Sequence, residues 1–524
     1  METVDTYFTR PSLRPSRRRA LLVAFCASAA LCGCNLDWEK PEASIEPPER
    51  FRAAKPKSAS PIGGAREFTT KFGSTELTGL VEQTLEQNLD IAAAVARIDE
   101  ADAQARVSSA ALWPALAMND IVRRTRIPGT TAAAIPLSST TSTSTSTSTS
   151  SSATTTSFRA RHVDFRQLGL NASYEIDFWG KNEDASNAAR LLANASRFDR
   201  GVVEIATIAA VMNAYLQVLA AQDQLRIAND NVKIAATVFA AIKARLEVGV
   251  ATALDYSQQE AVLAVQRASI PPLEQTLRQT KNTLAVLLGR TPESVEVKGG
   301  SLTKLRFPRV EPGLPSELLL RRPDVAKAEA NLASQEFSVF QARAAFFPSI
   351  QLTGQYGVQS AKFINLLRPE AVAWQIAASL AQPLLDGYNL QGQYELQKGR
   401  YAELTALYRK QILTALADVE NALIAVAETQ RQLKLQGEAV AAARRAFEAA
   451  NARLREGTID IITLSTTQTT LFQNQDILAQ VRLLHFQAAV SLYQALGGGW
   501  SPTTRDAEIA RADEAYHADK GPWP

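Results

Sequence analysis

Arg245-Leu-Glu-Val-Gly-Val-Ala-Thr-Ala-Leu-Asp-Tyr-Ser-Gln-Gln259 and Arg453-Leu-Arg-Glu-Gly-Thr-Ile-Asp-Ile-Ile-Thr-Leu-Ser-Thr-Thr467 are two versions of one stretch, 208 positions apart. At that offset Arg245 falls on Arg453, Leu246 on Leu454, Gly249 on Gly457, Ser257 on Ser465 and Leu263 on Leu471. The register runs back to Asn213 and Asn421, and forward to Leu288-Gly289 and Leu496-Gly497. Each copy places a Gly break between long helical segments, the pattern of a bend in a helical hairpin.

The segments leading into the bends are very long. Lys181 to Val248 contains no Pro and only Gly201; Arg400 to Glu456 contains only Gly437. At a rise of 1.5 Å per residue the first reaches roughly 100 Å, far beyond a globular helix. Both carry the same seam: Ile208, Val211, Tyr215, Val218, Gln222 and Leu225 in one, Leu416, Val419, Leu423, Val426, Gln430 and Leu433 in the other. Spacing that alternates three and four calls for supercoiled packing on neighbouring helices. After the bends, helices return through 252–270 and 460–496, and Pro271-Pro272 kinks or breaks only the first.

Upstream of each long helix the period changes from helical to alternating. Leu168, Leu170, Ala172, Tyr174, Ile176 and Phe178 alternate with polar or small residues, as do Ile350, Leu352, Gly354, Tyr356 and Val358, and again Trp374, Ile376, Ala378 and Leu380. Strands of about ten residues with one apolar and one polar face suit a membrane barrel, although taken alone the pattern better suits a half-buried sheet in a soluble sandwich. Residues 115–124 make a poorer fourth strand, because Asp120 and Arg124 fall on the face of Leu116. Between the first two strands, Thr140 to Ser151 is a nearly pure Ser/Thr alternation that cannot bury apolar surface. It belongs to a Ser/Thr-rich loop, 138–157, to which no role is assigned. Asp90 to Pro114 matches Asp324 to Pro348, so the duplication includes the helix before each strand pair.

The N-terminus reads as an export signal. Five Arg residues between Arg10 and Arg19 precede an apolar run from Ala20 to Leu31, which ends at Cys32-Gly-Cys34. The run is too short to span a membrane as a mature helix. Its ending is similar to a bacterial lipoprotein signal, in which Cys34 is lipidated; an ordinary signal cleaved nearby is the alternative. Cys32 is a rival acceptor, disfavoured by the bulky Leu31 before it. Removing residues 1–33 takes away five of 56 basic and two of 53 acidic residues, so the remainder is formally neutral. A nucleic-acid role loses its support. Catalysis finds no foothold either, since all three Cys residues lie in the first 34 positions and His162, His485 and His517 are scattered.

Four strands cannot close a membrane barrel, and open strand edges are forbidden in lipid because their backbone groups find no water there. The strands, and the long helices with them, must be pooled between copies of the chain. The elements therefore predict an oligomeric channel.

Four motifs add a resemblance. Leu314-Pro-Ser-Glu-Leu-Leu-Leu-Arg-Arg-Pro-Asp-Val-Ala-Lys-Ala-Glu329, Tyr174-Glu-Ile-Asp-Phe-Trp-Gly180, Ala415-Leu-Ala-Asp-Val-Glu-Asn-Ala-Leu423 and Leu287-Leu-Gly-Arg-Thr-Pro292 resemble motifs of the TolC-like outer-membrane efflux channels. The likeness, from about Leu77 to Leu496, is to the lipoprotein branch serving resistance-nodulation-division pumps. It implies an α+β membrane protein: a trimeric 12-stranded β-barrel, four strands per chain, continuous with a long α-helical barrel and internally duplicated. It also implies passive conduction, a periplasmic adaptor and an inner-membrane transporter as partners, and no cofactor beyond a covalent lipid on Cys34.

The resulting layout is a signal (1–33), a lipid-anchored extended tether (34–74), a helix (75–113), a strand pair with the Ser/Thr loop (114–180) and a long hairpin (181–289). An equatorial connector (290–316), a helix (317–347), a strand pair (348–388), a second hairpin (389–498) and an equatorial tail (499–524) follow. In the resemblance, Val248, Gly249 and Val250, with Gly457 in the second copy, form the adaptor-docking tips; a plain helix-ending bend is the other reading of Val248-Gly249-Val250. Family members commonly carry an aperture-lining Asp in a Leu-Leu-Asp-Ala-Gln run. Here that run is Leu464-Ser-Thr-Thr-Gln468, with Thr466 in place of the Asp. Asp460 at the bend is the other aperture candidate, or a solvated turn acid. Two other functions remain open on sequence, an exit duct for type I protein secretion and a lipid-anchored helical scaffold without a pore.

Overall fold

The protein, seen in a computed structural model, is described over residues 38–48, 50–52, 64–127, 161–308 and 314–501. The signal segment, Cys34, much of the tether, the Ser/Thr loop, residues 309–313 of the connector and the tail beyond 501 lie outside the described residues. Two units separate, residues 1–42 and 43–524. In the first, the described segment has no regular secondary structure, and the Lys40 ammonium lies 5.9 Å from the Trp38 ring centroid.

The second unit repeats one plan twice. The first copy runs α1 (Ala65–Thr70), α2 (Thr75–Gln87), α3 (Leu89–Ser109), β1 (Ala115–Ile127), β2 (Arg161–Ile176), α4 (Lys181–Glu247), α5 (Ala253–Ala268) and α6 (Ile270–Leu287). The second runs α7 (Pro315–Arg321), α8 (Pro323–Ala344), β3 (Ser349–Ser360), β4 (Val372–Ala381), α9 (Asn389–Arg455) and α10 (Ile461–Ala495). The long helices α4 and α9 are both 67 residues, and each boundary of one lies 208 positions from that of the other. The second therefore starts at Asn389, ahead of the Gly392 and Gly399 that made Arg400 look like its beginning. Pro271 and Pro272 occupy the first turn of α6, so the first returning helix breaks at Ser269. The second returns without interruption over 35 residues.

Two expected single helices are each divided. The helix expected over 75–113 breaks at Asn88, and the one over 317–347 begins at Pro315 and breaks at Arg322. Both breaking residues are extended (Asn88 φ −69, ψ 132; Arg322 φ −101, ψ 115). Long-range contacts hold the breaks. Asn88 caps α3 by accepting from Asp90 N and Ile91 N, and its amide donates to the Leu287 carbonyl at 2.7 Å. Arg322 donates to the repeat-equivalent carbonyl, Ala495, at 3.1 Å. In each half, the residue at the break thus caps the last turn of the returning helix, satisfying a carbonyl that has no helical partner.

The Arg322 guanidinium is nearly enclosed, binding Asp324 at 2.6 Å and Asp418 at 3.2 Å. Burial would push the Asp324 carboxyl up, but the hydrogen bonds and charge of Arg322 hold it below its ordinary range. Gln411 donates to the same carboxylate at 2.6 Å. The Arg-Arg-Pro-Asp motif therefore fastens α8 to α9 and α10.

The largest core cluster joins Phe68 of α1, Phe72 of the turn after it, Leu77 and Val81 of α2, and the first seam (Ile208, Val211, Tyr215, Val218) to Phe486, Val490 and Tyr493 of α10. Phe68 stacks on Tyr493 with ring centroids 4.2 Å apart. This packing accounts for a stretch of α4 apolar enough to cross a membrane by composition, most of which is buried within the protein. The second seam is less covered: Val419 is buried, Leu416, Leu423 and Val426 are half-buried, and Gln430 is exposed.

The four strands make one antiparallel sheet in the order β1-β2-β3-β4. The poorer strand of the sequence is a full 13-residue strand. Its misplaced Arg124 faces Asp164 of β2 across the ladder, 3.4 Å away. Where α4 leaves the sheet, Asp177 accepts from Glu183 N at 2.7 Å, Gly180 takes φ 79, and Trp179 donates to the Pro348 carbonyl and stacks on Phe347 at 4.6 Å. The Tyr174–Gly180 motif is the joint between sheet and helix in the first copy, pinned to the joint between α8 and β3 in the second.

Candidate functional site

The register of the sheet sorts its two faces strand by strand. Met118, Leu170, Tyr356 and Trp374 lie in one cross-strand row, and Leu116, Ala172, Gly354 and Ile376 in the next row on the same face. On the opposite face, Asn171, Gln355 and Gln375 are aligned, flanked by Ser173 with Thr353 and by Gln167 with Gln359. The apolar row is open to the surroundings, with Met118 72% and Trp374 71% exposed. Among the described residues of the protomer β1 and β4 each pair on one side only, leaving a backbone edge on either flank of the sheet. A sheet with an apolar outside, an amide-lined inside and two unpaired edges is a segment of a barrel wall.

At the far ends of the long helices the two bends are built alike. Gly249 (φ 77) follows the last residues of α4; its N–H donates to Leu246 O at 3.0 Å, and Val250 N donates to Arg245 O at 2.8 Å. Gly457 (φ 75) repeats this after α9, with Gly457 N to Leu454 O at 3.1 Å and Thr458 N to Arg453 O at 3.0 Å. These paired bonds are the Schellman ending that a left-handed Gly permits. Three residues on, Thr252 and Asp460 cap the returning helices. Thr252 and Asp255 form a reciprocal capping box, and Asp460 accepts from Thr463 N at 2.9 Å. Position by position, the Thr and Asp have exchanged places between the copies.

The side chains at the tips differ. Val248 and Val250 flank Gly249 and are each 73% exposed, whereas Glu456 and Thr458 flank Gly457. Beneath the tips Val238 and Ile242 of α4, Ala443, Phe447, Ala450 and Leu454 of α9, and Ile461, Leu464, Leu471 and Phe472 of α10 form a separate core. One polar contact ties tip to tip: Arg245 Nη2 donates to Leu454 O at 2.7 Å and to Arg455 O at 3.2 Å. Sequence reasoning did not find this role for Arg245; the only sign of it was the recurrence of the residue at Arg453.

The two aperture candidates separate. Asp460 is a helix cap at the exposed bend, and the hydrogen bonds from Thr463 hold its carboxyl below the ordinary range. Thr466 instead lines an open groove of about 560 Å³ between α5 and α10, with Gln258, Ala261, Val262, Ile462, Ser465 and Thr469 among its neighbours. Gln258 is the repeat counterpart of Thr466, so neither copy places a charge at this level. Ser465 of the groove donates to Gln259 at 3.3 Å, and Gln259 donates to Gln468 at 3.2 Å, both glutamines being buried. Cys34 lies outside the described residues.

Comparison with known proteins places these features in context. A sequence profile described as "Outer membrane efflux protein" matches residues 80–290 and 314–498. The chain is 36% identical over 504 residues to the pyoverdine export outer membrane protein OpmQ of Pseudomonas aeruginosa, covering 95% of this chain and 100% of that one. It is 29% identical to the probable efflux pump outer membrane protein TtgC of Pseudomonas putida, covering 93% and 97% of the two chains. Among solved structures, a membrane protein from Pseudomonas aeruginosa superposes with a TM-score of 0.75 at 26% identity, over 88% of this chain and 99% of that one.

Proposed function

The chain belongs to the outer membrane efflux protein family, and from that membership we propose how its residues divide the work of a channel. It is the outer-membrane component of a tripartite efflux system, a homotrimer working with a periplasmic adaptor and an inner-membrane transporter of the resistance-nodulation-division class. It conducts small molecules passively from the periplasm to the exterior. The observation that carries this reading is the sheet: its two faces are sorted in register, and its free edges require other copies of the chain to close it. Three chains contribute four strands each to the barrel.

Within that frame, Val248, Gly249 and Val250, together with Gly457, are the docking surface for the adaptor, supported by the exposed valines and the open space around both glycines. Thr466, with Gln258, lines the periplasmic aperture, while Asp460 keeps its capping role. The chain carries no cofactor and performs no catalytic step, and Cys34 bears a lipid anchoring the N-terminus in the outer membrane. Metabolic labelling with palmitate reads the last point: label should enter the wild-type chain and not a Cys34→Ser variant, and an unlabelled wild type would refute it.

Recording from trimers in planar bilayers tests conduction and aperture together. Discrete conductance steps are expected, and a preparation of intact trimers that gives none would overturn the channel. Thr466→Asp should shift selectivity toward cations without changing trimer yield, because it places three carboxylates around one opening. Unchanged selectivity would remove Thr466 from the aperture.

A further inference from the structure

The contact made by Arg245 is half of a repeating pattern. Its guanidinium sits over the last turn of α9, where main-chain carbonyls have no helical partners and the helix dipole is negative. Cap and acceptors are 209 and 210 positions apart in the chain. The duplication supplies a second set of the same parts. Arg453 is the counterpart of Arg245, and the counterparts of the Leu454 and Arg455 carbonyls are those of Leu246 and Glu247. The Arg453 residue is exposed, and its guanidinium takes part in no hydrogen bond or ion pair among the described residues. The Leu246 and Glu247 carbonyls accept no side-chain donor there either.

The helix packing says why these parts do not meet within one protomer. The second returning helix, α10, lies against both α9 and α4. The first returning helix, α5 with α6, packs against its own α4 but not substantially against α9. Among the described residues no other long helix packs substantially on the outer flank of α5–α6 or on the outer flank of α9, and these are the two surfaces that the duplication makes complementary. When copies of the chain assemble around a ring, α9 of one copy takes the place beside α5–α6 of the next that α4 takes beside α10.

We propose that Arg453 of each protomer donates to the Leu246 and Glu247 carbonyls of its neighbour, completing between chains the cap that Arg245 makes within a chain. The proposal rests on the trimeric reading. It makes the tips a closed circle of alternating internal and intermolecular guanidinium caps. It also distinguishes two otherwise similar arginines: Arg245 holds a chain's own hairpins together, and Arg453 holds one chain to the next.

The test uses the full-length channel purified from outer membranes. Arg453→Cys combined with Glu247→Cys, treated with a short bismaleimide, should yield covalent dimers and trimers on denaturing gels. Arg245→Cys combined with Arg455→Cys should give an internal link and no higher bands. Native gels of the unmodified channel run alongside. Trimers on the native gel with only monomers after cross-linking and denaturation would overturn the proposal. An unmodified channel that forms no trimer would overturn the trimeric reading and the proposal with it. A second measurement avoids cysteine altogether: Arg453→Ala should lower the temperature at which trimers dissociate, and Arg453→Lys should retain part of the difference, because an ammonium also donates. An unchanged dissociation temperature in Arg453→Ala would count against the contact.

Discussion

Each hairpin has a left-handed glycine at both ends, and the two ends use it for different reasons. At the tips, Gly249 and Gly457 have nothing within 4 Å of where a Cβ would stand. At the opposite end, a Cβ on Gly289 would collide with the Gln87 carbonyl oxygen, and one on Gly497 with that of Arg321. Those oxygens immediately precede the helix breaks at Asn88 and Arg322. The ends of the returning helices are therefore crowded backbone against backbone, whereas no neighbouring backbone crowds the tip glycines. Crowding repeated in both halves marks the part of the fold that must hold. Open space repeated in both halves marks a surface kept for something outside the protomer.

The largest effect should come from the crowded end. Gly289→Ala and Gly497→Ala each force an L-residue into φ 67 or φ 83, costing roughly 1–2 kcal/mol. Each also drives a methyl into a neighbouring backbone, adding about 1–3 kcal/mol of overpacking. The sum is a large share of a domain's net stability. Both variants should give much less folded trimer in the outer membrane, measured by heat-modifiable migration on gels. Wild-type yield from either would mean that the helix breaks can move aside, and the contrast between the ends would lose its basis.

The two ends also differ in how far they could be read from the chain. The tips are written locally: a Gly, a capping Thr or Asp three residues later, and long Pro-free flanks. Their turns, the equal hairpins and the two-faced strands follow from periods and punctuation alone. The break at Asn88 was missed because Leu80, Val81, Leu85, Ile91 and Val95 keep helical spacing straight across it. What breaks the helix there is an amide bonded to Leu287 O, 199 positions away. The strand β1 was undervalued for the same reason, since the partner of Arg124 is Asp164 on the next strand, far along the sequence. The Arg245 cap crosses from one repeat to the other, and no local pattern announces such a contact. In the second seam the spacing was correct but the burial is partial, because a period shows which face wants covering and not which chain covers it.

The smaller effect on stability, with the sharper functional consequence, belongs to the tips. Gly249→Glu pays the left-handed cost of roughly 1–2 kcal/mol but meets no neighbouring atom, so trimers and membrane insertion should survive. It sets a carboxylate between Val248 and Val250, the two exposed apolar residues of that tip, and an apolar partner surface would have to desolvate that charge. Export should be lost, read as restored susceptibility to toxic compounds in cells whose channel is still assembled. Gly457→Glu has the same backbone cost and the same open surroundings, but its flanks are Glu456 and Thr458, already polar and hydrated. It should therefore weaken export less than Gly249→Glu. Equal loss from both would show that docking depends on the shape of the bend and not on the valines. Undiminished export from Gly249→Glu would take the adaptor off this tip altogether, leaving Gly249 with the role its geometry requires in any case, ending a helix.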